Sequence, residues 1–331
     1  MLKKIITATA GVVLVGGLAA CGSSSSDGAG SSSGGGDISM GFAQVGAESG
    51  YRTANTESIK AAAKSAGIDL KFSDAQQKQE NQIKAIRSYI QQKVDVIAFS
   101  PVVETGWDTV LQEAKRAKIP VILTDRAVDS KDDSLYESFL GSDFVVEGEK
   151  AGDWLVQNAD TSDTDGDGTI RVAELQGTTG AAPAIDRKEG FEEKIAADDK
   201  IDIIASQSGD FTRDGGKKVM ESFLKSNDNI DVVFAHNDDM ALGAIEAIEA
   251  AGKKPGTDIK IISMDGVRDA MQALADGKIN FIVECNPLFG DQLMEIAKNV
   301  VDGKKVDKRV LVEEGTFDQE QAKAALPDRK Y

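Results

Sequence analysis

Seven short polar clusters punctuate this chain, and most of them follow a run of apolar or β-branched residues. The first reads Gln44-Val45-Gly46-Ala47-Glu48-Ser49-Gly50-Tyr51-Arg52. Gly46 and Gly50 permit a tight turn there, with Glu48, Ser49, Tyr51 and Arg52 offered at its tip. A later run ends in Asp125-Arg126, and a small-residue loop over 177–184 leads to Asp186-Arg187. The others are Gly209-Asp210-Phe211-Thr212-Arg213, His236-Asn237-Asp238-Asp239, Asp265-Gly266 and Glu284-Cys285-Asn286-Pro287. A polyol presents many hydroxyls, each needing a donor, an acceptor or both. Carboxylates, guanidinium groups and amides meet that need with strong, often bidentate hydrogen bonds. Tyr51 and Phe211 are placed to cover the apolar faces of a sugar ring. Each residue also has a plainer role: Asp143 and Asp238 as helix caps, the arginines in surface ion pairs, Phe211 in a core. As a set at successive strand ends they favour binding.

The elements that must position these clusters alternate regularly. Strands are expected at Ile38–Gln44, Leu70–Phe72, Val94–Ser100 and Pro120–Thr124, with helices at Thr53–Ala66, Gln79–Gln92 and Thr109–Lys118. In the second helix Ile83, Ile86, Tyr89 and Ile90 recur at helical spacing, leaving Lys and Arg on the opposite face. A second series follows Leu140. Its helices are expected at 144–158, 187–196, 214–226, 240–251 and 270–275, and its strands at 170–175, 201–206, 231–235, 259–264 and 280–284. Gly67, Gly252 and Gly277 stand where left-handed helix caps belong. The strands are apolar almost throughout, as parallel strands covered on both faces are. The fold class is therefore α/β, with two doubly wound parallel-sheet lobes around a cleft. Ligands of such sheets bind at the carboxyl ends of the strands, where the polar clusters lie.

The N-terminus indicates the compartment. Lys3 and Lys4 precede an uncharged apolar run, Ile5–Ala20, that ends in Leu18-Ala19-Ala20-Cys21. This pattern is a signal peptide over 1–20 with a lipobox, so Cys21 is the expected lipidation site and new N-terminus. Residues 21–37 are almost all Ser and Gly after the cysteine and read as a flexible tether. The expected location is extracytoplasmic, held to the cell membrane only through that lipid. A net charge of −17 over 331 residues argues against nucleic acid as a partner. Cys285 is the only other cysteine and His236 the only histidine. An internal disulfide cannot form once Cys21 is lipidated, and zinc or Ser-His-Asp chemistry lacks residues. Nothing in the chain demands an oligomer, so a monomer is expected.

Residues 163–174 match a calcium-loop pattern, D-x-D-x-D-G-x5-E. Asp163, Asp165, Asp167, the Thr169 carbonyl and Glu174 would be the ligands of a structural calcium ion. The competing reading leaves Glu174 inside a strand, turned away from the loop. No other cofactor is required.

From about Ile38 onward the chain resembles the type I periplasmic sugar-binding proteins of ABC importers. The likeness is to their ribose and galactofuranose branch, closest to galactofuranose binders and related fructose-binding lipoproteins. It rests on GFAQVGAESGYR, DAQQKQENQIKAIRS, SPVVETGWD, DRAVD, ELQGTTG, IDRKEGF, SQSGDFTR, AHNDDMALGAI and MDGV. The resemblance implies a three-crossover hinge, with one lobe of 38–140 plus 287–313 and another of 141–286 plus 314–331. It implies a monosaccharide ligand, a permease partner and no enzymatic activity. The contacts it assigns are Glu48, Ser49, Gly50, Tyr51, Arg52, Asp125, Arg126, Arg187, Phe211, Asn237, Asp265 and Asn286. Asn286 stands where ribose binders carry glutamine, and Tyr51 replaces a bulkier aromatic of the galactofuranose binder, so the preferred sugar stays open. Related galactose binders carry a calcium loop of the 163–174 kind.

Other functions fit less well. A glycosidase needs one carboxyl with a raised pKa beside a second carboxylate, whereas these acids are paired with arginines. A sugar-responsive repressor would carry a helix-turn-helix where the signal segment stands. A sensor that passes sugar occupancy to a signalling receptor uses the same closure as a transport receptor and is the alternative.

Overall fold

The computed structural model describes residues 38–331. The signal segment, Cys21 and the tether expected over 1–37 lie outside the described residues. The chain begins with β1 (Ser39–Gln44), α1 (Gly50–Ala66), β2 (Asp69–Asp74), α2 (Gln79–Gln92) and β3 (Val96–Phe99). It continues through α3 (Asp108–Arg116), β4 (Val121–Asp125) and β5 (Ser138–Gly141). Then come α4 (Phe144–Gln157), α5 (Ala159–Ser162), β6 (Ile170–Gln176), α6 (Ala182–Ile195), β7 (Ile201–Ser208) and α7 (Arg213–Ser226). β8 (Val232–Ala235), α8 (Asp238–Ala250), β9 (Lys260–Asp265), α9 (Arg268–Ala275) and β10 (Phe281–Glu284) follow. The last elements are α10 (Gly290–Val301), β11 (Arg309–Leu311), β12 (Thr316–Phe317) and α11 (Gln319–Ala325).

These strands form two sheets with one plan. The first runs β11-β5-β4-β3-β1-β2 and the second β12-β10-β9-β8-β6-β7. Counted within each lobe, both carry the 2-1-3-4-5 order of doubly wound folds. All pairs are parallel except β10 with β12. The chain passes between the sheets three times, in the segments after β5, after β10 and after β11. Gly141 still pairs in the first sheet, opposite Asp125.

Helices cover both faces of each sheet, which is why the strands are apolar on both sides. In the first lobe, α1 and α10 bury Ile59, Leu293 and Met294 against Met40 and Phe42. On its other face, Ile86, Trp107 and Leu111 pack on Ile97 and Phe99. Each fully buried side chain of this size contributes about 1.5–3 kcal/mol. In the second lobe, α4 and α6 bring Leu155 and Phe191 onto Phe234 and Met264.

The pattern gave most elements within two or three residues. It missed β5, α5, α10, β11, β12 and α11, although Leu293, Met294, Ile296 and Ala297 do recur at helical spacing. It also started α6 too late. Pro183 sits in the first turn of this helix, where its fixed φ and missing N–H cost nothing. The left-handed glycines stand as expected, with φ of 69° at Gly67, 78° at Gly252 and 78° at Gly277.

A close contact between α4 and α6 in the second lobe decides where Arg187 points. A Cβ on Gly148 of α4 would lie 2.2 Å from the Arg187 carbonyl oxygen of α6, and one on Gly190 of α6 would lie 2.1 Å from the Val145 carbonyl oxygen. Neither neighbour can yield, because both are helix backbone. Gly148→Ala should therefore lower stability by about 1–3 kcal/mol through overpacking. A loose contact would give the opposite sign, since Ala is the better helix former by about 1 kcal/mol. Urea unfolding, read as a shift of midpoint at constant m, separates the two.

Candidate ligand-binding site

The polar clusters meet at one place. A small cavity lies between the lobes, lined by Glu48, Ser49, Tyr51, Arg52, Asp125, Arg126, Phe144, Pro183, Arg187, Phe211, Asn237, Asp265 and Cys285. Nearly every lining residue sits at the carboxyl end of a strand or in the helix that starts there. Ten of the twelve residues expected at the site are in this lining.

In the first lobe, Asp125 is the organising group. Its carboxylate accepts from Arg52 Nη2 at 2.6 Å, from the Tyr51 hydroxyl at 2.8 Å and from Ser100 at 3.0 Å. Burial pushes the Asp125 carboxyl up, but Arg52, Arg126 and these hydrogen bonds outweigh it, so its pKa falls below the ordinary value. For Arg52, burial disfavours the charge, and Asp125 with Glu48 overcome that and hold the guanidinium protonated. Arg126 is less well matched. Its Nη1 donates to the Val102 carbonyl at 3.2 Å, and its carboxylate neighbours Asp125 and Glu48 stand at 3.8 Å and 3.9 Å. Burial, then Arg52, press its pKa down to about 10. Two polar atoms here are buried without a partner, Glu48 Oε2 and Arg126 Nε.

The second lobe contributes Arg187. Its Nε donates to Glu147 Oε2 at 2.6 Å, Nη1 donates to the His236 carbonyl, and Nη2 lies 3.7 Å from Asp265. Arg187 stands over the Phe144 ring at 5.0 Å, as Arg126 stands over Phe211 at 5.2 Å. Burial drives the Asp265 carboxyl upward, with Arg187 opposing and Asp238 reinforcing. Three lining residues have backbones that L-residues seldom adopt: Asp125 with φ of 61°, Phe211 with 59° and Asp265 with 102°. Such strain is held where surrounding structure fixes it, commonly at functional sites.

The lobes are closed on each other. The Gly50 N–H donates across the cleft to Asp239 at 2.7 Å, and the Glu104 N–H donates to the Gly180 carbonyl at 2.9 Å.

Several expectations are corrected. Gly50 is not in the lining; it begins α1 behind the cap Ser49, whose hydroxyl accepts from the Arg52 N–H. Asn286 is also outside, because its side chain accepts from the Leu288 N–H and makes a local turn. Its neighbour Cys285 faces the cavity instead. Asp238 does not cap α8; Asn237 does, with Oδ1 accepting from the Met240 N–H and Nδ2 donating to the Phe211 carbonyl. Asp238 is buried and accepts from Ser263, Gly266 and Val267. Asp143 does cap α4. Phe144, Pro183 and Cys285 were missed. Residues Phe144 and Cys285 flank hinge crossings, and single apolar residues carry no sequence signal for a cleft.

Glu174 is no ligand of the 163–174 loop. It is fully buried on β6, where it binds His236 Nε2 at 3.0 Å, Lys188 at 3.0 Å, Gln176 and Ser206. In its place Asp231 faces Asp163 and Asp165, with a carboxylate oxygen of each within 4.8 Å of the others. Arg171 points into the same cluster, 2.6 Å from Asp167 and 3.8 Å from both Asp165 and Asp231. The donor set suits a cation, and a guanidinium already supplies the charge.

Comparison with known proteins agrees with this geometry. A family model described as a periplasmic binding protein domain matches residues 40–305. The galactofuranose-binding protein YtfQ of Escherichia coli is 49% identical over 297 residues, 88% of this chain and 92% of that one. The fructose import binding protein FruE of Bifidobacterium longum is 38% identical over 331 residues, 98% and 97% of the two chains. A Mycobacterium smegmatis protein crystallised with β-D-fucofuranose superposes with a TM-score of 0.85 at 64% identity, covering 88% of this chain and 95% of the other. These relatives are binding proteins, not enzymes. With two α/β lobes, three crossovers and a polar cavity between them, this chain belongs to the periplasmic binding protein family.

Proposed function

We propose that this protein is the extracytoplasmic receptor of an ABC importer and that its cargo is a furanose monosaccharide. The observation that carries the reading is a pair of unmet buried atoms on residues that line the cavity, Glu48 Oε2 and Arg126 Nε. One needs a donor and the other an acceptor, and a sugar hydroxyl supplies either. Leaving such groups unpaired costs about 1–3 kcal/mol each, and a ligand that pairs them recovers it on binding. Tyr51, Phe144 and Phe211 provide the apolar walls. A furanose as cargo is supported by the names of two relatives, a galactofuranose binder and a protein crystallised with β-D-fucofuranose.

In this reading Arg187 from the second lobe and the Glu48–Arg52–Asp125–Arg126 group from the first grip the sugar together. Closure buries it and reshapes the outer surface for a membrane permease to recognise. The receptor acts as a monomer on a lipid attached to Cys21, which keeps it beside the permease. Arg52 and Arg126 hold the Asp125 carboxylate ionised against its burial, which serves binding rather than proton transfer.

Calorimetric titration of the mature chain with galactofuranose, fucofuranose, fructose, ribose, arabinose, xylose, galactose and glucose tests the reading. One furanose should bind tightly at one site per chain, and Glu48→Gln should weaken it about tenfold to a hundredfold. Absence of heat from every sugar, with the protein shown to be folded, would overturn it.

The aspartate loop is a second element of the proposal. Its resident cation is the side chain of Arg171, at the ninth position of the calcium-loop pattern, where an oxygen ligand would otherwise stand. Calcium should leave the melting temperature of the wild type unchanged and raise that of Arg171→Gln, with a chelator reversing the rise. A calcium-dependent rise in the wild type would contradict this assignment.

A further inference from the structure

The three hinge crossings meet at one carboxyl group. Glu314 lies on the crossing after β11, and its Oε1 accepts from the Ser142 hydroxyl of the crossing after β5. The same oxygen accepts from the Asn286 N–H of the crossing after β10 at 3.1 Å. The adjoining Gly315 N–H is held by Glu284 at 2.9 Å. The Ser142 hydroxyl likewise touches both other crossings, through Glu314 and through the Cys285 thiol at 3.4 Å.

Glu314 also faces a second acid. Carboxylate oxygens of Glu147 and Glu314 and the thiol of Cys285 all lie within 4.8 Å of one another. Glu147 spends Oε2 on Arg187, while its Oε1 is buried and has no partner. The Cys285 thiol is 3.4 Å from the Ser142 oxygen, so it has a partner of its own. The groups facing the pair are Arg187 from α6, Asp265 from the end of β9, Cys285 and Ser142. That is one full positive charge, already shared with Asp265, against two carboxylates. Both acids cannot be ionised at this spacing without a large electrostatic cost.

We propose that Glu314 is the positioning residue of the hinge, that it shares one proton with Glu147 across the closed crossings, and that closing on ligand takes this proton up from solvent. The proton gives Glu147 Oε1 the donor it lacks and keeps Glu147 available to orient Arg187 in the cavity. Opening spreads the crossings, admits water and returns Glu314 to an ordinary carboxylate. Burial, then Glu147, raises the Glu314 pKa to about 8 in the closed form, against about 4.3 for a free glutamate. Between these values the closed form binds the proton and the open form does not, so lower pH favours closure.

The inference rests on the ligand reading above, whose own failure would show as absence of heat from every sugar rather than as a flat pH profile. With a sugar that binds, titration at neutral pH in two buffers of different ionisation enthalpy should show uptake of most of one proton. The Kd should rise by up to about tenfold per pH unit between about pH 5.5 and 7.5. Glu314→Gln, which keeps the acceptor but cannot ionise, should bind with a flat pH profile. Binding without proton uptake would overturn the proposal, as would a slope that persists in Glu314→Gln. A slope abolished instead by Asp186→Asn, whose carboxyl is raised to about 6 by burial and by Glu189 and Asp143, would place the proton there and overturn it equally. With a binding sugar at saturating concentration, the melting temperature of Glu314→Gln relative to wild type should climb from pH 5 to pH 8. A constant difference over that range with sugar bound would show that the closed hinge holds no proton and would overturn the proposal.

Discussion

The buried pair of Arg187 and Glu147 is the interaction on which the two-lobe arrangement turns. At 2.6 Å, with both side chains almost fully buried, it cannot be exchanged for water. It exists because Gly148 and Gly190 let α4 and α6 approach backbone to backbone. Arg187 then reaches past the His236 carbonyl toward the cavity, while Glu147 reaches back toward the hinge. One helix contact therefore sets the position of a ligand-facing cation and the charge felt by the crossings. Removing either partner would leave an unpaired buried charge, at a cost of about 3–5 kcal/mol.

The first lobe solves the same problem differently. Arg52 and Arg126 are both brought into a dry cleft, and Asp125 and Glu48 must neutralise them. Asp125 is saturated by Arg52, Tyr51 and Ser100, so Arg126 is left with carboxylates at the edge of ion-pair distance. A fully satisfied cluster would be a stable core with nothing left to offer. The incomplete one keeps a donor and an acceptor free in a protected place. Those free valences are what a hydroxylated ligand can complete, and closure of the lobes is worth more when it does.

Much of this was legible in the sequence because the fold makes it so. Strands covered on both faces must be apolar, so a polar pair such as Asp125-Arg126 marks a strand end without ambiguity. The repeat of the pattern in both halves announced two lobes, and the family resemblance assigned the twelve contacts, ten of which line the cavity. What failed was local. Asn237 and Asp238 are both suitable caps, and only the packing of Gly266 and Val267 on Asp238 decides between them. Asn286 and Cys285 differ by one residue, and the crossing geometry turns the thiol inward. Glu174 completes a calcium pattern on paper, but it faces His236, since strand alternation puts it on the inner face of β6. Pro183 looked like a loop residue because its place in a first helical turn depends on the helix that follows.

A crystal structure of the protein with a bound furanose tests the central claim most directly. The account predicts sugar hydroxyls within hydrogen-bond distance of both Glu48 Oε2 and Arg126 Nε, with Arg187 contacting the same molecule from the opposite lobe. A sugar held elsewhere, or one that leaves those two atoms unpaired, would contradict it.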